Sequence, residues 1–202
     1  MIFTRENTSH MIHTQRLRLI IATISAAQTL VILSYFAYGI SSGPTVSSML
    51  YSNPAYRGLL MICVVLQITL SFVYMCLAKA EVVPESLLVT ALVAWIILNI
   101  IYEDNDGKML IAHAIAAGCF IATAGVYLIW MFIETVDEEQ TVSCHTYLTA
   151  CCVTAACIST TATIVCFVGH SSNTWMFEHA AFALFSATHA LLFSTGKQNM
   201  VY

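Results

Sequence analysis

Four ionisable side chains lie inside long apolar stretches of this sequence, where burial of such groups is costly and therefore points to a function. They are His113, Glu178, His179 and His189. Histidine and glutamate exchange protons, form strong hydrogen bonds and contact lipid headgroups. Proton exchange, lipid binding and hydrogen bonding between helices are the chemistries that these residue types offer.

The spacing of these residues places them on two helical faces. On each face, side chains recur every three or four positions and therefore line up along one side of a helix. The first face comprises His113, Ala117, Phe120, Ala124 and Tyr127, and the second comprises Glu178, Phe182, Phe185 and His189. Each stripe carries a polar group at either end, which makes Tyr127 a fifth candidate for lipid or partner binding.

His113 and Glu178 are expected at similar depth in a membrane. Each lies three or four residues inside its apolar stretch, roughly 5 Å below the same boundary at 1.5 Å per residue. If the fourth and sixth helices are neighbours, Glu178 can accept a hydrogen bond from His113. Other roles stay open: Glu178 and His179 can lie at the interface, His113 can brace helices, and His189 can be a packing residue.

Composition defines the class of protein that must position these residues. The chain has 202 residues, of which 59% are hydrophobic and 9% are charged, whereas soluble domains have about 25% charged residues. The net charge of -4 without a basic patch excludes nucleic-acid binding. Six apolar runs have the length of membrane spans, at about 17–40, 58–80, 86–102, 109–134, 144–169 and 175–195.

Uninterrupted apolar runs without period-2 alternation predict helices rather than barrel strands. We therefore expect an all-α polytopic membrane protein, a bundle of six transmembrane helices. One side of the membrane would hold most of the basic residues, namely Arg5, Arg16, Arg18, Lys79 and Lys197, against Arg57 and Lys108 on the other. This bias predicts cytosolic termini, with an N-terminal tail at 1–16, the membrane domain at 17–195 and a C-terminal tail at 196–202.

The eight cysteines lie within or beside the spans, which favours packing roles over disulfides. Metal-ligand spacings and nucleotide or hydrolase motifs are missing from the sequence, which therefore predicts neither a metal nor another cofactor. Cys76 and Cys144 lie near the expected cytosolic boundary and are candidates for palmitoylation.

Other features of the spans indicate how the helices pack. The fifth span is rich in Ala, Cys, Ser and Thr, which predicts a central helix surrounded by protein. Gln28, Gln67 and Asn99 are expected to form hydrogen bonds between helices. All three prolines lie between the spans, so broken helices of the transporter type are not expected.

Two segments carry a resemblance to a known family. HAIAAGCFIATAGVY at 113–127 and EHAAFALF at 178–185 resemble the fourth and sixth helices of the DRAM (damage-regulated autophagy modulator) family, and SYFAYGISSGP with YSNPAYRG is similar to its first helix and loop. The family tends to have Trp where this chain has His179. The resemblance implies a six-span protein of the lysosome, Golgi or plasma membrane that modulates trafficking, autophagy or lipid organisation without established catalysis.

The sequence therefore favours a non-enzymatic regulator or scaffold subunit of a membrane. Expected partners are membrane lipids and another membrane protein or a second copy of the chain, with the first exoplasmic loop, 41–57, as the contact surface. A lipid-handling protein or enzyme that uses His113, Glu178 and His179 is one alternative. An ion or proton pathway through His189 is another. The expected location is the endomembrane system or the plasma membrane, and the lysosome if the resemblance holds.

Overall fold

A computed structural model describes residues 5–39, 53–78, 82–100, 107–138, 143–169 and 174–194. The elements in these ranges are α-helices, so the expected all-α, six-helix fold is confirmed. The helices are α1 (Arg5–Gly39), α2 (Pro54–Ala78), α3 (Val82–Ile100), α4 (Gly107–Glu138), α5 (Cys144–Val168) and α6 (Thr174–Ser194).

Helix length and surface composition fit a multi-pass membrane protein. Every helix except α3 is long and apolar enough to cross a membrane. The 19 residues of α3 give a length of about 28 Å, close to the thickness of the hydrocarbon core. Large aliphatic side chains cover the outer surface, with Leu30 68% exposed and Val168 72% exposed. Such a surface is stable in lipid rather than in water.

Polar side chains fix the starts of two helices. The Asn53 side chain accepts a hydrogen bond from the backbone N–H of Tyr56 at 3.0 Å, and Pro54 occupies the first helical position of α2. At the start of α5, the Thr146 N–H donates to Ser143 Oγ at 3.2 Å, and the Ser143 N–H donates to Thr146 Oγ1 at 3.3 Å. These reciprocal bonds satisfy backbone donors that the first turn of a helix leaves free.

The bundle has a tightly packed part and a loosely packed part. Helix α6 packs along both α1 and α5, α3 packs along α4, and α2 joins α1 to α3. By contrast, α4 makes far fewer contacts with α5 and α6 than with α3. The seam between α4 and the α5–α6 pair is therefore loosely packed.

The position of α5 corrects an expectation from the sequence. We expected a central helix, but 11% of the residues in the α5 span are buried, against 50% in the α6 span. The hydroxyl groups of α5 explain why this helix can lie against lipid. Thr161 and Thr163 donate to the carbonyls of Cys157 and Ser159 at 2.9 and 2.8 Å, so their polar atoms are satisfied within the helix.

Candidate functional site

A cleft, here called the central cleft, lies between α4 and α6 and receives side chains from all six helices. Its volume is about 70 Å³. Representative lining residues, one from each helix in chain order, are Gln28, Gln67, Ala91, Ala124, Thr160 and Glu178. Because α4 packs weakly against α5 and α6, the cleft lies along a loosely packed seam of the bundle.

Three residues that line the cleft carry polar atoms without hydrogen-bond partners among the described residues. Gln28 is 4% exposed and Tyr127 is 2% exposed. Gln28 Oε1 and Thr160 Oγ1 have no partner among the described residues. The Tyr127 hydroxyl lies beside Ser71 but is not in hydrogen-bond geometry with any described group. These three atoms have almost no accessible surface, and buried polar atoms left without a bond cost about 1–3 kcal/mol each.

The middle of the cleft is aromatic. Phe120, Phe182 and Phe185 line it. The rings of Phe120 and Phe182 stack at a centroid distance of 5.9 Å, and Trp95 of α3 packs against both, at 5.1 and 6.2 Å. This cluster gives the cleft a firm apolar wall.

The opposite end of the cleft, near the start of α6, carries Glu178. Its carboxylate and the Tyr35 hydroxyl are both close enough to act electrostatically on the Tyr56 hydroxyl. The rings of Tyr35 and Tyr56 lie 3.9 Å apart between centroids, and the next residue, His179, lies 5.8 Å from the ring of Phe36. The surroundings of this end of the cleft are therefore acidic and aromatic.

His189 forms hydrogen bonds with two helices besides its own. Its Nδ1 lies 2.9 Å from Ser25 Oγ of α1, and its Nε2 lies 3.2 Å from Ser71 Oγ of α2. The Ser186 hydroxyl donates to the Ser25 carbonyl at 2.8 Å. We call His189, Ser25, Ser71 and Ser186 the histidine node. The node ties α1, α2 and α6 together in the membrane interior, where such bonds have little competition from water.

The hydrogen-bond geometry at Ser71 indicates a structural role for this serine. The Ser71 hydroxyl donates to the Gln67 carbonyl at 2.7 Å, a shorter distance than the 3.2 Å to His189 Nε2. A catalytic serine needs its proton directed at the base. Glu178 is eleven positions from His189 on α6, roughly 16 Å along the axis, and therefore does not orient the imidazole.

Below the node, a cation reinforces the same three helices. Arg18 Nη2 donates to the Leu192 carbonyl at 3.2 Å, near the end of α6 where helix carbonyls lack internal partners. The guanidinium also lies 5.7 Å from the centre of the Tyr74 ring, and that ring contacts Phe193 edge-on at 5.2 Å. Arg18 of α1 therefore links this helix to α6 and α2 at this end of the bundle.

The structure brings some of the predicted site residues together. Tyr127, Glu178 and His189 line the central cleft. His113 and His179 are buried, 8% and 2% exposed, but they are not among the lining residues. Helices α4 and α6 do contact each other, while the hydrogen bond between His113 and Glu178 stays a prediction.

The cysteines are free thiols, and Cys76 and Cys144 are exposed at helix ends. Palmitoylation of these two residues stays a prediction. Within the part of the chain that the structure describes, no group of three His, Cys, Asp or Glu side chains is arranged to hold a metal ion.

Several important residues were missed or misassigned from the sequence. Ser25 and Ser71 were not singled out. Gln28 was expected to bond to another helix, yet its oxygen has no partner among the described groups, and the Asn99 amide donates to Trp95 of its own helix at 2.8 Å. One signal for Ser25 was present in the helical spacing of α1. The buried residues of this helix recur at positions 0, 4, 7 and 11 and therefore share one face; they are Ile21, Ser25, Gln28 and Ile32.

Comparison with family models, curated proteins and solved structures finds no match to this chain.

Proposed function

We propose that the protein is a non-enzymatic integral membrane protein that binds a membrane lipid in the central cleft. The observation that carries this proposal is the lining of the cleft, which receives side chains from all six helices and combines an aromatic wall with the polar residues Gln28, Tyr127 and Thr160. Ligand sites have this character, since an apolar surface provides affinity and a few polar groups provide orientation. In this proposal the histidine node stabilises the helix bundle, and the central cleft binds the lipid.

Lipid access from the bilayer is supported by the packing of α4. Its weak contact with α5 and α6 means that a small outward movement of α4 opens the cleft sideways. The strong contacts of α6 with α1 and α5 keep the other wall in place during that movement. A lipid can therefore enter without crossing water, which is the expected route for a molecule that is mostly apolar.

The cellular role that we propose follows the resemblance to the DRAM family. The protein would act as a regulator of trafficking, autophagy or lipid organisation in the endomembrane system or plasma membrane, with its termini in the cytosol. A lysosomal location follows if the resemblance holds. Its partners would be lipids and either another membrane protein or a second copy. The loop 41–57, proposed as their contact surface, lies largely outside the described residues.

Lipid retention by two matched variants tests this proposal. Ala124 lines the cleft, whereas Ala122, two residues earlier on α4, is exposed on the outer surface. We expect Ala124→Leu to fill the cleft and Ala122→Leu to leave it unchanged. Native mass spectrometry of protein extracted from its own membrane should show a lipid adduct on the wild type and on Ala122→Leu, and a loss of that adduct on Ala124→Leu. Equal adducts on all three proteins would contradict the proposal.

A proton pathway is the second candidate, favoured by the run of polar side chains from Glu178 to His189 along one cleft. Beyond His189, the rings of Phe193 and Tyr74 and the Arg18 guanidinium occupy the route to the other end. Proton flux into liposomes, measured with a pH-sensitive dye under an imposed potential, tests this candidate. Flux that is lost in His189→Leu but retained in Ala122→Leu would support a pathway, and the absence of flux in the wild type would exclude it.

A further inference from the structure

The surface that the central cleft offers to a ligand is mostly apolar. The polar lining residues change this little, because most of their polar atoms are inaccessible or already bonded. Gln28 Oε1, the Tyr127 hydroxyl and Thr160 Oγ1 have almost no accessible surface. The hydroxyls of Thr163 and Ser186 each donate to a backbone carbonyl at 2.8 Å. A ligand in the cleft therefore meets aliphatic and aromatic carbon over most of its surface.

The open side of the cleft lies between α4 and α5. Within the part of the chain that the structure describes, the lining residues of α1, α2 and α3 are all buried. Four lining residues of α4 and α5 are only half-buried, namely Ile121, Ala124, Thr160 and Thr163. Because α4 and α5 make few contacts with each other, the partial exposure of these four residues indicates an opening between the two helices. We call this opening the lateral portal.

The lateral portal lies at the depth of lipid acyl chains. The α4 span is Ile115–Val136 and the α5 span is Cys144–Cys166. At 1.5 Å per residue, the four portal residues lie within about 12 Å of the midpoints of these spans. The hydrocarbon core extends about 15 Å to either side of the bilayer midplane. Lipid headgroups therefore lie outside the depth range of the portal.

The portal residues also lie toward one leaflet. Ile121 and Ala124 precede the midpoint of the α4 span, and Thr160 and Thr163 follow the midpoint of the α5 span. Since two consecutive spans run in opposite directions, both pairs lie in the half of the membrane where α4 and α6 begin. Glu178 lies near the start of α6, on the same side. A lipid of this leaflet has its acyl chains at the level of the portal and its headgroup beyond the start of α6.

From these observations, which are read on the basis of the proposed function, we infer that the central cleft binds an acyl chain of a phospholipid from this leaflet. The chain enters sideways through the lateral portal, and the headgroup stays at the membrane surface. Phe120, Phe182 and Phe185 contact the chain, which supplies the van der Waals contacts that an empty apolar cleft lacks. Binding therefore depends on the chain and not on the headgroup.

Two photoreactive phosphatidylcholines test the inference, one with a diazirine near the end of an acyl chain and one with a diazirine in the headgroup. The full chain is reconstituted in nanodiscs with each probe, and labelled residues are identified by mass spectrometry. We expect the chain probe to label Phe182, which lines the cleft and is 9% exposed. The headgroup probe should label Phe182 at least about tenfold less, because a charged headgroup is costly to bury among apolar groups. Stronger labelling of Phe182 by the headgroup probe would overturn the inference.

The composition of the nanodisc tests whether the chain or the headgroup is recognised. Ile158 of α5 is 64% exposed and measures labelling from the surrounding bilayer. With the chain probe, nanodiscs of phosphatidylcholine and of phosphatidylglycerol with the same chains should give the same ratio of Phe182 to Ile158 labelling. A ratio that changes with the headgroup would overturn the inference. So would a ratio that falls when cholesterol is added, because the cleft would then select a fused ring system.

A matched pair of threonines on α5 tests the lateral portal. Thr163 lines the cleft, whereas Thr161 is exposed on the outer surface. Both hydroxyls donate to the carbonyl four residues earlier, at 2.8 and 2.9 Å, so the two substitutions remove the same kind of bond. Thr163→Phe should narrow the portal and reduce labelling of Phe182 by the chain probe severalfold, while Thr161→Phe should leave it unchanged. Equal labelling of Phe182 in the two variants would overturn the assigned route.

The Ala124→Leu variant distinguishes failure of this inference from failure of the proposed function. If the headgroup probe labels Phe182 in the wild type and in Ala122→Leu but not in Ala124→Leu, the cleft binds lipid and the acyl-chain assignment is wrong. If neither probe labels Phe182 in the wild type, both proposals fail.

Discussion

Two polar regions in the same bundle differ in how completely their hydrogen bonds are satisfied. In the histidine node, both ring nitrogens of His189 have a hydroxyl within 3.2 Å, and the serine hydroxyls also reach carbonyls of their own helices. In the central cleft, Gln28 Oε1 and Thr160 Oγ1 have no partner among the described groups. A satisfied network stabilises a fold, whereas buried polar atoms without a partner cost stability.

The packing around the two regions differs in the same way. The node joins α1 and α6, which are in extensive contact, whereas the cleft lies where α4 contacts α5 and α6 only sparsely. We therefore propose that the histidine node stabilises the bundle and that the central cleft binds the ligand. Substitutions in the node should therefore lower the free energy of unfolding, and substitutions in the cleft should change ligand binding with little loss of stability.

The largest effect is expected from His189→Ala. It removes hydrogen bonds to α1 and α2 and leaves a void among buried side chains, which together should cost about 3 kcal/mol of unfolding free energy. Unfolding in mixed micelles measures this, with His13→Ala as the control because His13 is exposed on α1. A loss below about 1 kcal/mol would show that the node does not hold the bundle together.

A smaller loss is expected from Arg18→Met. Methionine preserves the packing of the aliphatic stem but removes the bond to the Leu192 carbonyl and the contact with the Tyr74 ring. We expect a loss of about 1 kcal/mol in the same unfolding assay. Arg16→Met, at an exposed position on α1, should have almost no effect. Equal losses in the two variants would mean that the charge matters and the contacts of Arg18 do not.

Gln28→Leu should behave in the opposite way from the node variants. Its oxygen has no partner to lose, so an apolar side chain of similar size should leave the unfolding free energy of lipid-free protein unchanged or raise it by up to about 1 kcal/mol. The comparison requires delipidated protein, because a bound lipid stabilises the wild type. A loss above about 1 kcal/mol would indicate that Gln28 belongs to the structural network.

The smallest effect is expected from Gly125→Ala at the edge of the cleft. A Cβ at this position would meet the Phe185 ring at 3.6 Å, an ordinary contact, whereas a Cβ at Gly118 would meet nothing within 4 Å. The unfolding free energies of Gly125→Ala and Gly118→Ala should therefore agree within about 0.5 kcal/mol. A loss above about 1 kcal/mol specific to Gly125→Ala would mean that Phe185 cannot move and that the wall is rigid.

The sequence was sufficient to predict the helices because hydrophobicity over about 20 residues is a direct consequence of the bilayer. It was also sufficient to place Tyr127, Glu178 and His189 on two faces, since helical spacing is regular. All four residues of the α6 face line the central cleft, as do Phe120, Ala124 and Tyr127 of the α4 face, although the sequence alone did not indicate that the two faces share one site.

Helix neighbours were harder to predict for a physical reason. Small residues in α5 permit close packing but do not require it, because Thr161 and Thr163 satisfy their hydroxyls within the helix. The hydroxyls of Ser25 and Ser71 do not indicate a histidine partner for the same reason: they bond to their own helix whether or not a histidine lies opposite. Their role depends on the long-range contact with His189.

The central claim, that the cleft holds a lipid, is tested most directly by an experimental density map of the wild-type protein in lipid from its own membrane. We predict continuous, elongated density that runs past Phe182 within the central cleft. Separate peaks of ordered water in that space, or an α4 packed closely enough against α5 and α6 to close the cleft, would contradict the claim.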